Sequence, residues 1–256
     1  MKLADQLIVV TGASSGLGKA MARAFADEGA TVVCAARTED TLRNTVQEIS
    51  DDGVTGDAVA VTTDVRSQSS VENLINWTRD AYGEIDTLVN NAAVRQYHLE
   101  MPGEGVERPI ADVSIKAWDA VLETNVRGVI LCTKAVLPSM LRRGVGRVIH
   151  ISSSHGRRAR PNRGPYVVSK FGMEGFHETL ALELEDTGVD SIALRPPGGG
   201  VHTEYKERAG FKADNAAHTD PSVISRTSVR IAAGDGENGG RYEATPDGAY
   251  ESYASE

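Results

Sequence analysis

Short runs of aliphatic and β-branched residues alternate along this chain with longer stretches whose apolar positions recur at helical spacing. The runs "LIVV" (7–10), "TVVCAA" (31–36), "AVAVT" (58–62), "DTLVN" (86–90), "RVIHIS" (147–152) and "SIAL" (191–194) are apolar at successive positions rather than at every second one. A strand of that kind is buried on both faces. The pattern therefore predicts a doubly wound parallel sheet with helices on either side, a three-layer α/β/α arrangement. The segment "SVENLINWTRDAY" (70–82) carries the helical period most clearly: Val71, Leu74, Ile75, Thr78 and Tyr82 share one face, and Ser69 with Glu72 forms a candidate capping box.

No internal repeat, low-complexity block or proline- and glycine-rich linker divides the 256 residues, and 40% apolar content is enough for a sizeable core, so residues 1–256 are read as one domain. From about residue 234 the sequence turns glycine-rich and acidic, "GDGENGGRYEATPDGAYESYASE". That composition predicts a loop with one short strand near Arg241 to Ala244 and, over about 240–256, a frayed tail. The net charge of −9 argues against nucleic acid as a partner, since phosphate backbones call for a basic surface. Cys34 and Cys132 have no metal-ligand spacing, which points to free thiols, no bound metal and a reducing compartment. No run of about 18 apolar residues occurs, and the N-terminal apolar run is too short for a secretion signal. The expectation is a soluble, cytoplasmic protein without a membrane partner.

Immediately after the first apolar run comes "TGASSGLGKAMARAFADEGA" (11–30), glycines in the pattern T-G-x-x-x-G-x-G opening an amphipathic helix. Gly12 permits a tight turn, and Gly16 and Gly18 let the backbone approach a pyrophosphate. Around Ser14, Ser15 and Leu17 the helix N-terminus presents N–H groups and positive potential. Glycines in a strand-to-helix turn can also serve packing alone, but between a strand and a helix, with a second strand at the right distance, the pattern is read as a dinucleotide loop. The end of the second strand bears on which dinucleotide. An acid there accepts bonds from the ribose 2′-hydroxyl of NAD, whereas this chain reads "CAARTED", with Arg37 and Thr38 in that place. A guanidinium suits a 2′-phosphate, so NADP(H) is preferred and NAD(H) is the fallback; the plainer reading of Arg37 is a solvated loop residue.

Several motifs then fall in one order: T11-G-A-S-S-G-L-G18, D64-V65 after the third strand, N90-N-A-A93 after the fourth, Asn125 in "ETNVRG", Ser153, and Y166-V-V-S-K170. Together they resemble the short-chain dehydrogenase/reductase family over residues 5 to about 205. The resemblance implies a Rossmann-type fold, a nicotinamide cofactor, and hydride exchange between an alcohol and a carbonyl. It implies that Asp64 and Val65 flank the adenine and that Asn91, Ala92 and Ala93 line the adenosine ribose. It also implies that Asn125, Ser153, Tyr166 and Lys170 form a catalytic tetrad, Asn125 holding a water that connects Lys170 to solvent. In "RPPGGGVHTEY" (195–205) it places Val201 and Thr203 against the nicotinamide carboxamide, and it implies a homodimer or homotetramer pairing helices near 115–143 and 164–186. Ala93 departs from the family's usual glycine, a change tolerated where φ is negative.

The residues themselves support the proton chemistry. A free tyrosine, with a pKa of about 10, is a poor acid and stays protonated at neutral pH. Tyr166 and Lys170 are one helical turn apart, so the ammonium stabilises the phenolate. Ser153, with Ser152 and Ser154 as register alternatives, ends the fifth strand where open α/β sheets present ligand-facing groups.

Three segments are expected around a small carbonyl or alcohol substrate: a long loop over 94–114, the stretch between Ser153 and Tyr166, and a lid or surface helix over 203–220. In the second, His155 is a candidate substrate contact beside Ser153 and Tyr166. Arg157, Arg158, Arg160 and Arg163 either attract an anion or pair with the protein's own acids. The leading reading is an NADP(H)-preferring oxidoreductase on a secondary alcohol and ketone, with Tyr166 as general acid and base. The alternatives are an NAD-linked sugar or polyol dehydrogenase and a non-catalytic NADP-sensing protein on the same fold.

Overall fold

In the computed structural model, which describes residues 2–95, 108–197 and 220–253, the apolar runs become strands of one sheet. These are β1 (Leu7–Thr11), β2 (Thr31–Ala36), β3 (Asp57–Thr62), β4 (Thr87–Asn90), β5 (Gly146–Ile151), β6 (Val189–Arg195), β7 (Arg241–Ala244) and β8 (Tyr250–Ser252). Their order is β3-β2-β1-β4-β5-β6-β7-β8, parallel throughout except for the antiparallel β7–β8 pair.

Successive side chains of a strand point to opposite faces, and here both faces are apolar. Ile8 and Val10 join Val32, Cys34 and Ile149 in a core closed by Met21 and Phe25 of α1 (Gly16–Asp27), Leu42 and Ile49 of α2 (Glu39–Asp51), and a late helix. Leu7 and Val9 join Val33, Leu88 and Val148 on the other face, against Leu74 and Ile75 of α3 (Gln68–Tyr82) and helices from the middle of the chain. These are α5 (Gly128–Arg143) and α6 (Gly164–Glu183), with α4 (Ile115–Leu122) packed against α6; α7 (Pro221–Ala232) lies on the first face. The three-layer expectation is met.

The winding reverses between β1 and β4, neighbours in the sheet though distant in the chain. A crevice at the carboxyl ends of two such strands is where open α/β sheets bind ligands. Thr11 and Asn90 end those strands, so both conspicuous motifs, the glycine loop and N-N-A-A, open onto one place.

Local expectations are corrected at three points. The cap of α3 is Ser67, whose Oγ accepts from the Ser70 N–H at 3.4 Å; Ser69 contacts Ser67, and Glu72 accepts from Gln68. The helix starts a turn earlier than its apolar stripe, where capping and not burial sets the boundary. Tyr82, assigned to the buried face, is exposed and meets Trp77 edge-on at 5.8 Å. The tail is not frayed over 240–253. Strand β8 pairs with β7, Tyr250 packs on Tyr242 with centroids 4.5 Å apart, and Arg195 lies over the Tyr253 ring at 3.8 Å. The Tyr242–Tyr250 pair and the Arg195–Tyr253 contact supply the anchoring that the glycine-rich composition concealed.

Candidate active site

The glycine loop is held by its neighbours before it can hold anything else. Gly12 has φ of +68°, and a Cβ there would lie 2.8 Å from the Ala92 Cα, so only glycine fits this turn. At Gly18 a Cβ would meet the Gly12 carbonyl oxygen at 2.2 Å and the Asn91 amide at 2.6 Å. At Gly18 the absence of a side chain thus lets the helix pack directly against its own loop. Asn91 donates to the carbonyls of Thr11 and Gly12 at 2.9 and 3.2 Å, while the Thr11 hydroxyl accepts from the N–H groups of Asn91 and Ala92 and donates to Val89. Thr11 and Asn91 lace the two strand ends into one piece.

Gly16, with φ of +54°, opens α1 behind Ser15, which caps the helix through its backbone with no side-chain cap bond. Leu17 packs into the core and the Ser14 carbonyl accepts from Thr45 at 3.1 Å, which pins the loop. The N–H groups at the start of α1 and the backbone turn of Gly12 form a cradle suited to a pyrophosphate. At the end of β2, Arg37 and Thr38 are exposed, and Arg37 stands close enough to Asp64 to help lower its pKa, after the larger effect of the Arg66 hydrogen bond. Asp64 is clasped by Arg66 with bonds at 2.6 to 3.1 Å, Val65 packs on Gly128, and Ala93 is exposed and not among the residues with positive φ. This ring of residues fits a dinucleotide with an extra phosphate near Arg37. Val201, Thr203, residues 96–107 of the long loop and the 203–219 part of the supposed lid lie outside the described residues.

The sequence motifs around the tyrosine also converge. Helix α6 begins with Pro at its first turn after a left-handed Asn162, and carries Tyr166 and Lys170 on one buried face. Lys170 Nζ donates to the Ile151 carbonyl at 2.6 Å and lies 5.8 Å from the Tyr166 ring centroid. Burial pushes the Tyr166 phenol up; Lys170, Arg95 and a hydrogen bond from Ser153 pull harder, leaving it at about 8. Burial also lowers the Lys170 pKa, against the pull of the phenolate.

The register at the end of β5 is decided. Ser153 touches Tyr166, whereas Ser152 turns away to bond Glu174 and Ser154 opens a short 3-10 turn. The Ser153 hydroxyl lies 3.2 Å from both the backbone N–H and the Nδ1 of His155. On the far side of that imidazole, Arg163 lies 2.6 Å from Nε2. A guanidinium only donates, so Nε2 accepts and the ring proton sits on Nδ1, which therefore donates to Ser153. With both lone pairs of Ser153 engaged, its O–H is left to donate to Tyr166. Burial first, then Arg163, Arg95 and Arg160, hold His155 down to about 4, so it stays neutral.

Asn125 sits in a π-helical turn (Glu123–Arg127) between α4 and α5. Its side chain accepts from the Val94 N–H at 2.8 Å and donates to the Val94 carbonyl at 2.9 Å and to Ser169 at 3.0 Å. It thereby clamps the start of the loop after β4 onto α6. Sequence reasoning passed over what that clamp positions. Arg95, next in the chain, has its guanidinium carbon 4.4 Å from the Tyr166 ring centroid. Glu174, one turn beyond Lys170, was also missed; it is buried and bonded to Ser152, Arg241 and Tyr253. Its helical spacing from Lys170 was the available signal, while Arg95 carried none beyond following N-N-A-A. The four arginines between Ser153 and Tyr166 divide: Arg157 faces Glu174 at 3.9 Å, Arg163 holds His155, and Arg158 and Arg160 are exposed.

Comparison with known proteins follows the same residues. The family described as short chain dehydrogenase matches residues 6–212. A 3-oxoacyl-(acyl-carrier-protein) reductase of Synechocystis sp. is 37% identical over 206 residues, 80% of this chain and 78% of that one. Among solved structures, a single-substitution variant of the actinorhodin polyketide ketoreductase with NADPH superposes with a TM-score of 0.78 at 31% identity, covering 97% of this chain and 98% of that one. A metagenomic short-chain oxidoreductase in complex with NADP gives 0.75 at 28% identity, covering 92% and 93%.

Proposed function

The chain belongs to the short-chain dehydrogenase family and is an oxidoreductase, and on that premise we propose that it interconverts a secondary alcohol and a ketone with NADP(H), using Tyr166 as general acid and base. The observation that carries this reading is the phenol of Tyr166, held at about 8 between Ser153 and the cations Lys170 and Arg95. A group poised near the working pH gives and takes a proton with comparable ease.

The nicotinamide nucleotide, when bound, supplies or accepts the hydride. Residues of this chain do the rest. Gly12, Ser15 and Gly16 receive the pyrophosphate at the start of α1, and Arg37 with Thr38 receives the 2′-phosphate. In ketone reduction the Ser153 proton turns from the phenol to the carbonyl oxygen, which Ser153 and Tyr166 then hold together, and Tyr166 delivers its proton there as the oxygen gains negative charge. Lys170 steadies the resulting phenolate, and Asn125 keeps the loop after β4 in place. The preference for NADP(H) over NAD(H) is supported by Arg37 at the end of β2, where an acid would repel the extra phosphate, and by the NADP and NADPH named with the two similar structures.

We read residues 1–256 as one catalytic domain of a cytoplasmic homodimer or homotetramer; exposed Val168 and Phe171 on α6 and Ile115 on α4 support a subunit contact there. The deciding experiment is consumption of NADPH and of NADH over a panel of ketones, aldoses and acyl-thioester carbonyls. Turnover of a ketone with NADPH, abolished by Tyr166→Phe, is expected. Binding of NADPH with no carbonyl reduced, or full activity in Tyr166→Phe, overturns the reading.

A further inference from the structure

Ser153 and the serine before it are held by one helix at two points. Ser153 meets Tyr166, while the Oγ of Ser152 donates to the carboxylate of Glu174, about two turns further along α6. Glu174 also touches the chain on the other side of Ser153. In the short turn Ser154–Gly156, a Cβ at Gly156 would lie 2.9 Å from the Glu174 Cγ and 3.3 Å from its Oε1, so the glycine lets the turn rest directly on this side chain. The Gly156 N–H in turn donates to the Ser153 carbonyl at 2.9 Å. Arg157, next in the chain, has its Nε 3.9 Å from Oε2 of the same carboxylate. Glu174 thus meets both shoulders of Ser153.

An apolar side chain would fill this buried position at least as favourably, because desolvating a carboxylate costs several kcal/mol. What the carboxylate adds is direction, since it stays where its donors hold it. Attached to α6 only through Tyr166, the end of β5 could pivot about that one contact. A second attachment on the same helix removes the pivot. Ser153 needs that restraint, because its proton turns between the phenol and the carbonyl oxygen while its Oγ keeps its place. Displacing such a group by about 1 Å costs up to about a hundred-fold in rate.

We propose that Glu174 is a positioning residue for ketone reduction: through Ser152 and the turn Ser154–Gly156 it fixes the Oγ of Ser153 where it serves both Tyr166 and the carbonyl oxygen. The proposal rests on the reading that Tyr166 and Ser153 act on a ketone. Perturbing Glu174 or Ser152 then acts through Ser153 and leaves the nucleotide cradle of β1 and α1 as it was.

The test uses the purified full chain with NADPH and whichever ketone of the panel it reduces fastest. Ser152→Ala and Glu174→Gln are made alone and in combination with Ser153→Ala. Each alone should lower kcat about ten-fold, the scale of one orienting hydrogen bond, with KM for NADPH within about two-fold of wild type. With Ser153 already replaced, the same changes should cost less than about two-fold, because the group they position is gone. An unchanged kcat in Ser152→Ala overturns the proposal. So does a loss of equal size with and without Ser153, or a rise in KM for NADPH that matches the fall in kcat; either makes Glu174 a part of the framework only. If Ser153→Ala leaves no measurable rate, the division between kcat and KM decides. If Glu174→Gln does not fold, Ser152→Ala, which removes a single hydroxyl, decides in its place. Failure of the wild type to reduce any ketone sinks the function proposed above along with this one, whereas ketone turnover at wild-type kcat in Ser152→Ala sinks this one only.

Discussion

The Nε2 of His155 accepts a hydrogen bond from Arg163 at 2.6 Å, and this contact fixes which way Ser153 donates. Because Nε2 is occupied, Nδ1–H points at Ser153, whose own proton then faces Tyr166. His155→Phe keeps the ring contact with Tyr166 but removes the donor. Its kcat is expected to fall about ten-fold, the scale of one lost orienting hydrogen bond. Thermal melting should establish that the protein is still folded, and an unchanged kcat would show that Ser153 needs no such partner.

The phenol of Tyr166, at about 8, lies below its ordinary value, so its charged form is the one the site favours. Alcohol oxidation needs the phenolate: its kcat/KM should rise with pH and level off above about 8, while ketone reduction should fall over the same range. Lys170→Met removes a cation that lowers this pKa. The oxidation limb should then move to higher pH, and a profile that stays in place would assign the titration to another group.

Cofactor choice hinges on Arg37. Replacing it with aspartate puts a negative charge where the 2′-phosphate is expected. KM for NADPH should rise by about 10- to 100-fold, equivalent to the loss of one or two charge-assisted bonds, and KM for NADH should fall. Parallel initial-rate measurements with both nucleotides separate a switch from a general loss. An unchanged NADPH KM would return Arg37 to the solvent.

Two glycines give opposite expectations for the same substitution. Gly18→Ala forces a Cβ to 2.2 Å from the Gly12 carbonyl, so it should cost about 1–3 kcal/mol of stability and weaken nucleotide binding. Gly175→Ala lies on an exposed turn inside α6 with nothing within 4 Å of the new atom. It should stabilise the protein by about 0.5–1 kcal/mol, since alanine is the better helix former. Denaturant unfolding of both variants checks the pair.

The fold was legible because burial on both faces leaves continuous apolar runs, and those at 7–10, 31–36 and 58–62 lie within one residue of the observed strands. The start of α3 was not, because hydroxyl-rich "SQSS" offers several capping registers and only geometry selects Ser67. Strand β8 was hidden for a different reason: Tyr250 stacks on Tyr242 and the following Tyr253 lies under Arg195, contacts across the chain that no local pattern encodes. At the site, the order of motifs and the family resemblance pointed to Tyr166, Lys170 and Ser153, and the structure brings the three together. Both were silent on Arg95, whose contact with Tyr166 exists only because Asn125, much further along the chain, clamps the backbone beside it.

Glu174 receives bonds from Ser152 at the end of β5, from Arg241 of β7 and from Tyr253 near the C-terminus, one turn along the helix from Lys170. A single buried carboxylate therefore ties β5, β7 and Tyr253 to the helix that carries Tyr166 and Lys170, so a change at any of the three is felt on that helix.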